Sequence, residues 1–483
     1  MNTKTRDILD FFKDISSIPR CSGNEAQLAK WLQHWADENN YTHQSDSAGN
    51  LKINVGASPG YENAPVIVLQ GHMDMVCEKA LDSDHDFSKD PIQLEYDGDW
   101  LHAHKTTLGA DNGIALAMAM AIASDPDIAH PPLELLFTVN EESGLNGAKQ
   151  LETGFIRGNI LLNVDSESEG VFTVGCAGGQ DVHIEKKLAV TDIPDTTELF
   201  KLNIQGLTGG HSGIDIHRGR ANANKLLGRA LHQIHAACPV HLIAFNGGTA
   251  HNAIPRDAGA TMACGTAHIQ TMQNMVSDFK QTLLNEYSAI EKNMSLSLLQ
   301  IDTNHQQKTA LSTADTEYVL NLLQAIPHGV QSMSMDFENL VETSANLATV
   351  TLEDGKLQIL TSQRSSVRSR RENITLTVEA AAALAGAESR RENDYPPWQP
   401  DMDAALLKRC TELYGKLFDR EPVIQAIHAG LECAIIGSKY PGMEMISLGP
   451  TMENAHSPEE RLYIPSIERV WTFLAALLKS FGE

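Results

Sequence analysis

The chain has 483 residues, 42% hydrophobic and 20% charged, a globular composition rather than a disordered one. Its 62 Asp and Glu against 37 Lys and Arg leave a formal net charge of −25. That balance repels polyphosphate and anionic lipid, so neither nucleic acid nor a membrane is expected as a partner, and most of the acids read as solvated surface.

The amino-terminal residues, MNTKTRDILDFFK, are interspersed with charge and lack the apolar run of a secretory signal. No stretch of about 18 apolar residues follows, so no membrane-spanning helix is expected. Helical periodicity covers 7–15 and 25–38, and 112–123 is rich in Ala and Met. Short apolar runs at 66–69, 133–139 and 160–164 read as strands. Strands alternating with helices predict an α/β unit with a mostly parallel sheet, in which ligands gather at the carboxyl ends of strands. The middle of the chain reads as α+β. Strands are expected at 200–204, 241–245, 258–263, 348–352 and 357–361, and helices at 221–236, 272–290, 313–326 and 375–387. Glu353-Asp354-Gly355 carries a hairpin signal. After Pro396-Pro397 the α/β character returns, with helices at 402–417 and 468–481 and strands at 423–427 and 445–448. The simplest organisation is one catalytic domain in two parts, 1–187 and 398–483, interrupted by an inserted lid domain, 188–397. The seven cysteines are odd in number and form no C-x-x-C pair. They are expected to be small buried hydrophobes in a reducing cytosol, with no disulfide framework and no thiolate metal site.

Five acid or imidazole clusters fall at turns of the α/β segments, most just past strands: His72 and Asp74, Asp111, Glu141 and Glu142, Asp165, and His456. A parallel sheet can bring them to one edge. Each alone is weak, since an H-x-D is more often a turn, Glu-Glu usually a solvated pair and a lone histidine such as His456 more often structural than a ligand. Together, carboxylates crowded within a few ångströms repel unless a cation neutralises them. Imidazole with carboxylate and no thiolate suits zinc, manganese or cobalt. The count fits two ions about 3.5–4 Å apart sharing one Asp and one water. Asp74, two residues after His72 in extended chain, points the same way and can orient that imidazole. Of the adjacent Glu141 and Glu142, one can bind metal while the other takes a proton from the water. No G-x-S-x-G or phosphate-binding loop is present, which disfavours a serine hydrolase or an NTPase.

GHMDMV, TTLGADNG, FTVNEESG, LNVDSE and GPTMENAHSPEE resemble, in order, the metal-site motifs of the dimetal exopeptidases that include the carnosinases. HDFSKDPIQ, GCAGG, GLTGGHSG, NANKLL, FNGGTAHNAIPR, YPPWQPD and IHAGLEC extend the resemblance over essentially the whole chain, toward the branch that cleaves Xaa-His dipeptides. The resemblance implies a zinc-peptidase fold with a lid, and two Zn2+ per chain, for which Mn2+ or Co2+ can substitute. It assigns His72 and Asp165 to one ion, Glu142 and His456 to the other, and Asp111 as the bridge with a cis peptide to Asn112. It makes Glu141 the general base, Asp74 the clamp on His72, and His211 a lid donor to the oxyanion, from the same chain or a partner. Arg364, Asn252 and Glu432 are the implied substrate-binding residues. The expected activity is hydrolysis of carnosine-like Xaa-His dipeptides by a cytoplasmic homodimer. A related aminoacylase or carboxypeptidase, or a non-catalytic metal-bound binding protein, are the alternatives.

Overall fold

The computed structural model describes residues 2–301 and 309–482. The chain divides into two units. The first comprises Met1–Cys176, Pro400–Ala426 and Leu431–Glu483, and the second comprises Ala177–Gln399 with Ile427–Gly430. The first boundary falls after Cys176 rather than after Lys187. Strand Gly178–Lys187 pairs antiparallel with Lys356–Ser365 and Glu388–Tyr395, so its backbone hydrogen bonds commit it to the second unit.

The first unit is built on an eight-stranded sheet. Its order is Thr42–Ser45, Leu51–Val55, Leu133–Thr138, Ile67–His72, Ile160–Asn163, Glu444–Ser447, Val171–Cys176 and Val423–Ile427. The strands Leu133–Thr138, Ile67–His72, Ile160–Asn163 and Glu444–Ser447 are mutually parallel, as the alternation of strands and helices predicts. Antiparallel strands flank them on both sides. Every residue of Ile67–His72 and Leu133–Thr138 is buried, which is why both read as unbroken apolar runs rather than as alternation. The helix Ala110–Ser124 is buried on almost every side, matching its Ala- and Met-rich sequence. It approaches the sheet closely at Gly71, where a Cβ would stand 2.4 Å from Asn112 Oδ1 and 2.7 Å from the Ala115 Cβ. Only glycine allows that approach. Helix Thr3–Ser16 covers it with Ile8, Leu9, Phe12 and Ile15 buried at helical spacing.

A small antiparallel sheet in this unit runs Met452–Glu453, Arg461–Tyr463, Trp100–Ala103 and Leu94–Asp97. It ties residues from near the carboxyl terminus to the segment leading into Ala110–Ser124.

The second unit holds an antiparallel sheet around Thr197–Gln205, Ala258–Gly265, Val240–Gly247, Val341–Glu353 and Lys356–Ser365, with Ser295–Ile301 at one edge and Glu388–Tyr395 at the other. Its core includes Phe200, Leu227, Leu231, Leu242, Phe245, Leu323 and Val378, from strands and helices together. The Asp354-Gly355 turn closes a two-residue hairpin, Glu353 opposite Lys356, with φ of 47° and 75° at its two residues. Both positive angles are what an Asp-Gly pair tolerates.

The cysteine expectation is corrected in one respect. Cys21 and Cys77 form a disulfide with Cα atoms 5.7 Å apart, while Cys176, Cys238, Cys264, Cys410 and Cys433 are buried, as expected of small hydrophobes. A parallel bridge between Cys21 and Met75 brings the two segments side by side, a contact across 56 residues that cysteine spacing does not reveal.

Candidate active site

The parallel strands end together. His72 is the last residue of Ile67–His72, the Glu141-Glu142 turn follows Leu133–Thr138, and Asp165 follows Ile160–Asn163. Asp111 opens the helix Ala110–Ser124, and His456 lies in the loop between Met452–Glu453 and Arg461–Tyr463.

All five clusters meet. His72 Nε2 lies 3.0 Å from Asp111 Oδ1 and 3.4 Å from Asp165 Oδ1. On the other side, His456 Nε2 lies 3.1 Å from Asp111 Oδ2 and 3.2 Å from Glu142 Oε1. Asp111 thus presents one oxygen to each imidazole. Two groups, His72–Asp111–Asp165 and Asp111–Glu142–His456, each place one donor atom per residue within 4.8 Å of the others, and they share Asp111. His72, Glu141 and Glu142 form a third such group. The donors are imidazole nitrogens and carboxylate oxygens, so these residues fit a pair of divalent ions of the zinc, manganese or cobalt kind. The peptide bond Asp111–Asn112 is cis.

The surrounding groups hold these side chains. His72 Nδ1 donates to the Asp74 backbone carbonyl at 3.1 Å, closer than the Asp74 carboxylate at 3.4 Å. The carbonyl can only accept, so Nδ1 carries a proton and Nε2 is the nitrogen turned toward Asp111 and Asp165. The Asp74 carboxylate accepts from the Glu141 N–H at 2.9 Å, the Glu142 N–H at 3.1 Å and the Ser22 hydroxyl at 2.8 Å. Asp74 therefore fixes both glutamates as well as His72. Burial pushes its carboxyl up, but His72, the Glu141 N–H and Ser22 outweigh that and hold it at about 2. Asn112 bridges two strand ends, accepting from the His72 N–H at 3.2 Å and donating to the Val164 carbonyl at 2.8 Å.

The acids are pulled apart in proton affinity. Burial, reinforced by Asp165, Glu432 and Glu142, raises Glu141 well above the usual carboxylate range despite His72. Hydrogen bonds from His456 and His72 outweigh burial and depress Asp111. Hydrogen bonding to Asp111 and Glu142 raises His456 to about 11. Burial raises the Asp165 carboxyl as well, so Asp111 is the acid held ionised between the two imidazoles while Glu141 keeps a high affinity for a proton, as a group that takes one from water needs.

Glu432 lies beneath the strand ends, fully buried, its Oε2 accepting from Gln70 Nε2 at 2.6 Å and the Thr138 hydroxyl at 2.7 Å. Burial pushes it to about 7. The remaining three candidates belong to the second unit. There the pairing of Gly210–His211 with Ala253–Ile254 joins the GGHSG loop to the loop carrying Asn252. The Asn252 carbonyl accepts from the Ser212 N–H at 2.7 Å, and the residue is exposed. His211 Nδ1 accepts from the N–H groups of Gly213 and Ile214 at 3.1 and 3.0 Å, which leaves Nε2 as the proton-bearing nitrogen. Burial and the nearby Arg364 lower this imidazole to about 4. Arg364 is only 6% exposed and donates to the Tyr395 hydroxyl at 2.7 Å.

The model of the peptidase family M20/M25/M40 matches residues 68–480, most of the chain and every ligand candidate. The chain belongs to this family. It is a hydrolase of peptide bonds. The cytosol non-specific dipeptidase of Escherichia coli K12 is 42% identical over 470 residues, 97% of this chain and 96% of the relative. The crystal structure of aminoacylhistidine dipeptidase from Vibrio alginolyticus superposes with a TM-score of 0.89 at 39% identity, covering 98% of this chain and 96% of that one. Human carnosine dipeptidase 1 shares the fold alone, at 10% identity and a TM-score of 0.50, over 99% of this chain and 97% of that one.

Sequence reasoning missed several groups that position the site of this M20 peptidase. Ser22 and the Gln70–Thr138–Asn163 layer carry no local signal. Arg20, fully buried, donates to the carbonyls of Met73, Asp74 and Gly109. Asn112 and Glu460 stand inside the quoted motifs TTLGADNG and GPTMENAHSPEE, so their motifs were visible but not their contacts.

Proposed function

We propose that this M20 peptidase is a dipeptidase working through two divalent ions. The observation that carries the reading is the pair of ligand groups sharing Asp111, with Glu141 beside them. His72 and Asp165 would hold one ion, Glu142 and His456 the other, and Asp111 both. Zinc is the ion of first choice, with manganese or cobalt able to use the same donors. When bound, the ions supply the Lewis acidity that activates water at neutral pH. Glu141 takes a proton from the attacking water and returns it to the leaving amine, a role its raised carboxyl supports. Asp74 keeps His72 and the Glu141-Glu142 turn in place. For His211 we propose donation from Nε2–H to the developing oxyanion, supported by its tautomer and its low proton affinity. Arg364 is proposed for the substrate carboxylate and Asn252 as a further substrate contact, whereas for Glu432, fully buried, we propose a bracing role through Gln70 and Thr138 behind the ligands.

The substrate class is proposed as dipeptides that include, but are not restricted to, those with a carboxy-terminal histidine. Support comes from two relatives, one an aminoacylhistidine dipeptidase and the other a non-specific dipeptidase. A homodimer in the cytosol is proposed with them. The location rests on the description of the E. coli relative, and the Cys21–Cys77 disulfide weighs against it.

The test is Glu141→Gln with metal analysis. We expect about two zinc ions per chain and normal dipeptide binding, with nearly all turnover lost. Near-normal turnover would remove Glu141 as base. A panel of Xaa-His dipeptides, other dipeptides, acylated amino acids and longer peptides separates the dipeptidase from an aminoacylase or a carboxypeptidase. No turnover of any of them by the metal-loaded chain would leave a binding protein.

A further inference from the structure

Glu460 ends the GPTMENAHSPEE segment and is 2% exposed. Its carboxylate faces four consecutive backbone N–H groups. Oε2 accepts from Leu108 and Gly109 at 2.8 and 3.0 Å, and Oε1 accepts from Ala110 and Asp111 at 2.8 and 3.3 Å. These donors open the helix Ala110–Ser124, whose N-cap is Gly109 and has no side chain to serve them. Asp111 leaves helical geometry, with φ −79° and ψ 104°. A carboxylate from 350 positions along the chain does the capping that local sequence omits.

The same turn is also held by Arg20, which donates to the Gly109 carbonyl and to those of Met73 and Asp74, just past the strand that ends in His72. The turn is thus held through its N–H groups by a buried anion and through a carbonyl by a buried cation. Charge-assisted bonds of this kind are stronger than neutral ones.

Glu460 also lies four residues after His456. The intervening loop is braced by Ser457 Oγ donating to the Asn454 carbonyl at 2.9 Å and by the Glu460 N–H donating to the Ser457 carbonyl at 3.0 Å. The next strand, Arg461–Tyr463, is fastened to Trp100–Ala103. One rigid segment therefore carries both the His456 imidazole and the carboxylate that fixes the backbone of Asp111. Asp111 uses both oxygens, one toward each imidazole, so a small movement of its backbone loosens both sides at once.

We infer that Glu460 is a positioning residue that sets Asp111 relative to His456 and thereby the affinity of the shared metal site. The inference rests on the metal role proposed above for Asp111. It is tested with Glu460→Gln, whose amide retains one acceptor oxygen and turns an NH2 toward the other pair of N–H donors. Zinc is titrated calorimetrically into the chelated protein, and the visible spectrum of the cobalt-loaded protein is recorded. We expect zinc affinity to fall about 10–100-fold, the cobalt spectrum to change, and kcat to fall with KM held. Wild-type zinc affinity and cobalt spectrum, even with a lowered melting temperature, would overturn the inference and leave Glu460 a purely structural cap. Should Glu460→Gln fail to fold, Glu460→Asp keeps the charge and both oxygens, withdraws them by one methylene, and carries the same measurements. Asp111→Asn separates the two claims. If it binds zinc like wild type, the metal reading fails and the inference with it. If it loses zinc while both Glu460 variants keep wild-type affinity, the inference alone falls.

Discussion

His428 carries no charge in the folded chain at neutral pH. It is buried, with Nε2 2.7 Å from the Ser344 hydroxyl, and burial together with Arg364 and His211 pulls its pKa down to about 3. An unfolded histidine takes its proton near 6.5. Between those values the unfolded chain binds the extra proton and the folded chain does not, so stability is lost as pH falls from about 6.5 toward 3. By pH 5 this one residue should cost about 2 kcal/mol. In chelated protein, where metal release plays no part, urea unfolding of His428→Gln should fall less between pH 7 and pH 5 than that of wild type. Equal slopes would remove His428 as a source of acid sensitivity. At this scale the sequence offered residue types but not partners. The H-x-D and Glu-Glu pairs were visible as candidates. That Asp74 clamps two glutamate N–H groups and grips His72 through its own backbone carbonyl is a matter of loops converging from distant positions.

The strands and helices followed their local patterns closely. The strand expected at 66–69 spans Ile67–His72, and the helix expected at 375–387 spans Arg368–Leu384. Flanking strands such as Thr42–Ser45 and Leu94–Asp97 escaped notice because they are short, polar and largely exposed, so no apolar period marks them. The Cys21–Cys77 bridge joins the segment before helix Ala26–Glu38 to the one after strand Ile67–His72, closing a long loop beside Arg20 and Ser22. Such a crosslink mainly restricts the unfolded chain and typically adds about 2–4 kcal/mol. The double variant Cys21→Ala with Cys77→Ala should lose about that much in denaturant unfolding, and adding a dithiol reductant should lower wild type by a similar amount while leaving the variant unchanged. A variant as stable as oxidised wild type would show that the crosslink contributes nothing.

The whole molecule joins a unit carrying every metal-ligand candidate to a unit with its own apolar core. An ion that binds only the folded first unit stabilises it by mass action, by about 4 kcal/mol at a thousandfold excess over Kd. Chelation should therefore lower the unfolding midpoint. By hydrogen exchange it should loosen amides at 108–113, 140–146 and 454–460, while those of Thr197–Gln205 and Ala258–Gly265 stay protected. Unchanged exchange in the first set would count against ions bound there. Among the described residues no helix is long and apolar enough to cross a membrane.

Sequence alone determined what local rules can encode: the order of strands and helices, the Asp-Gly hairpin, and the positions of imidazoles and carboxylates just past strand ends. Periodicity, turn chemistry and residue type act within a few positions, so they can be read directly. Tertiary structure decided how those groups meet. It gave Asp111 one imidazole on each side, capped its helix with Glu460, placed Arg20 beneath the turn, paired Cys21 with Cys77, and assigned Gly178–Lys187 to the second unit. Each of these is a contact between residues far apart in the chain. The energy of such a contact appears only when buried polar groups must find partners, and no local pattern specifies which partner that will be.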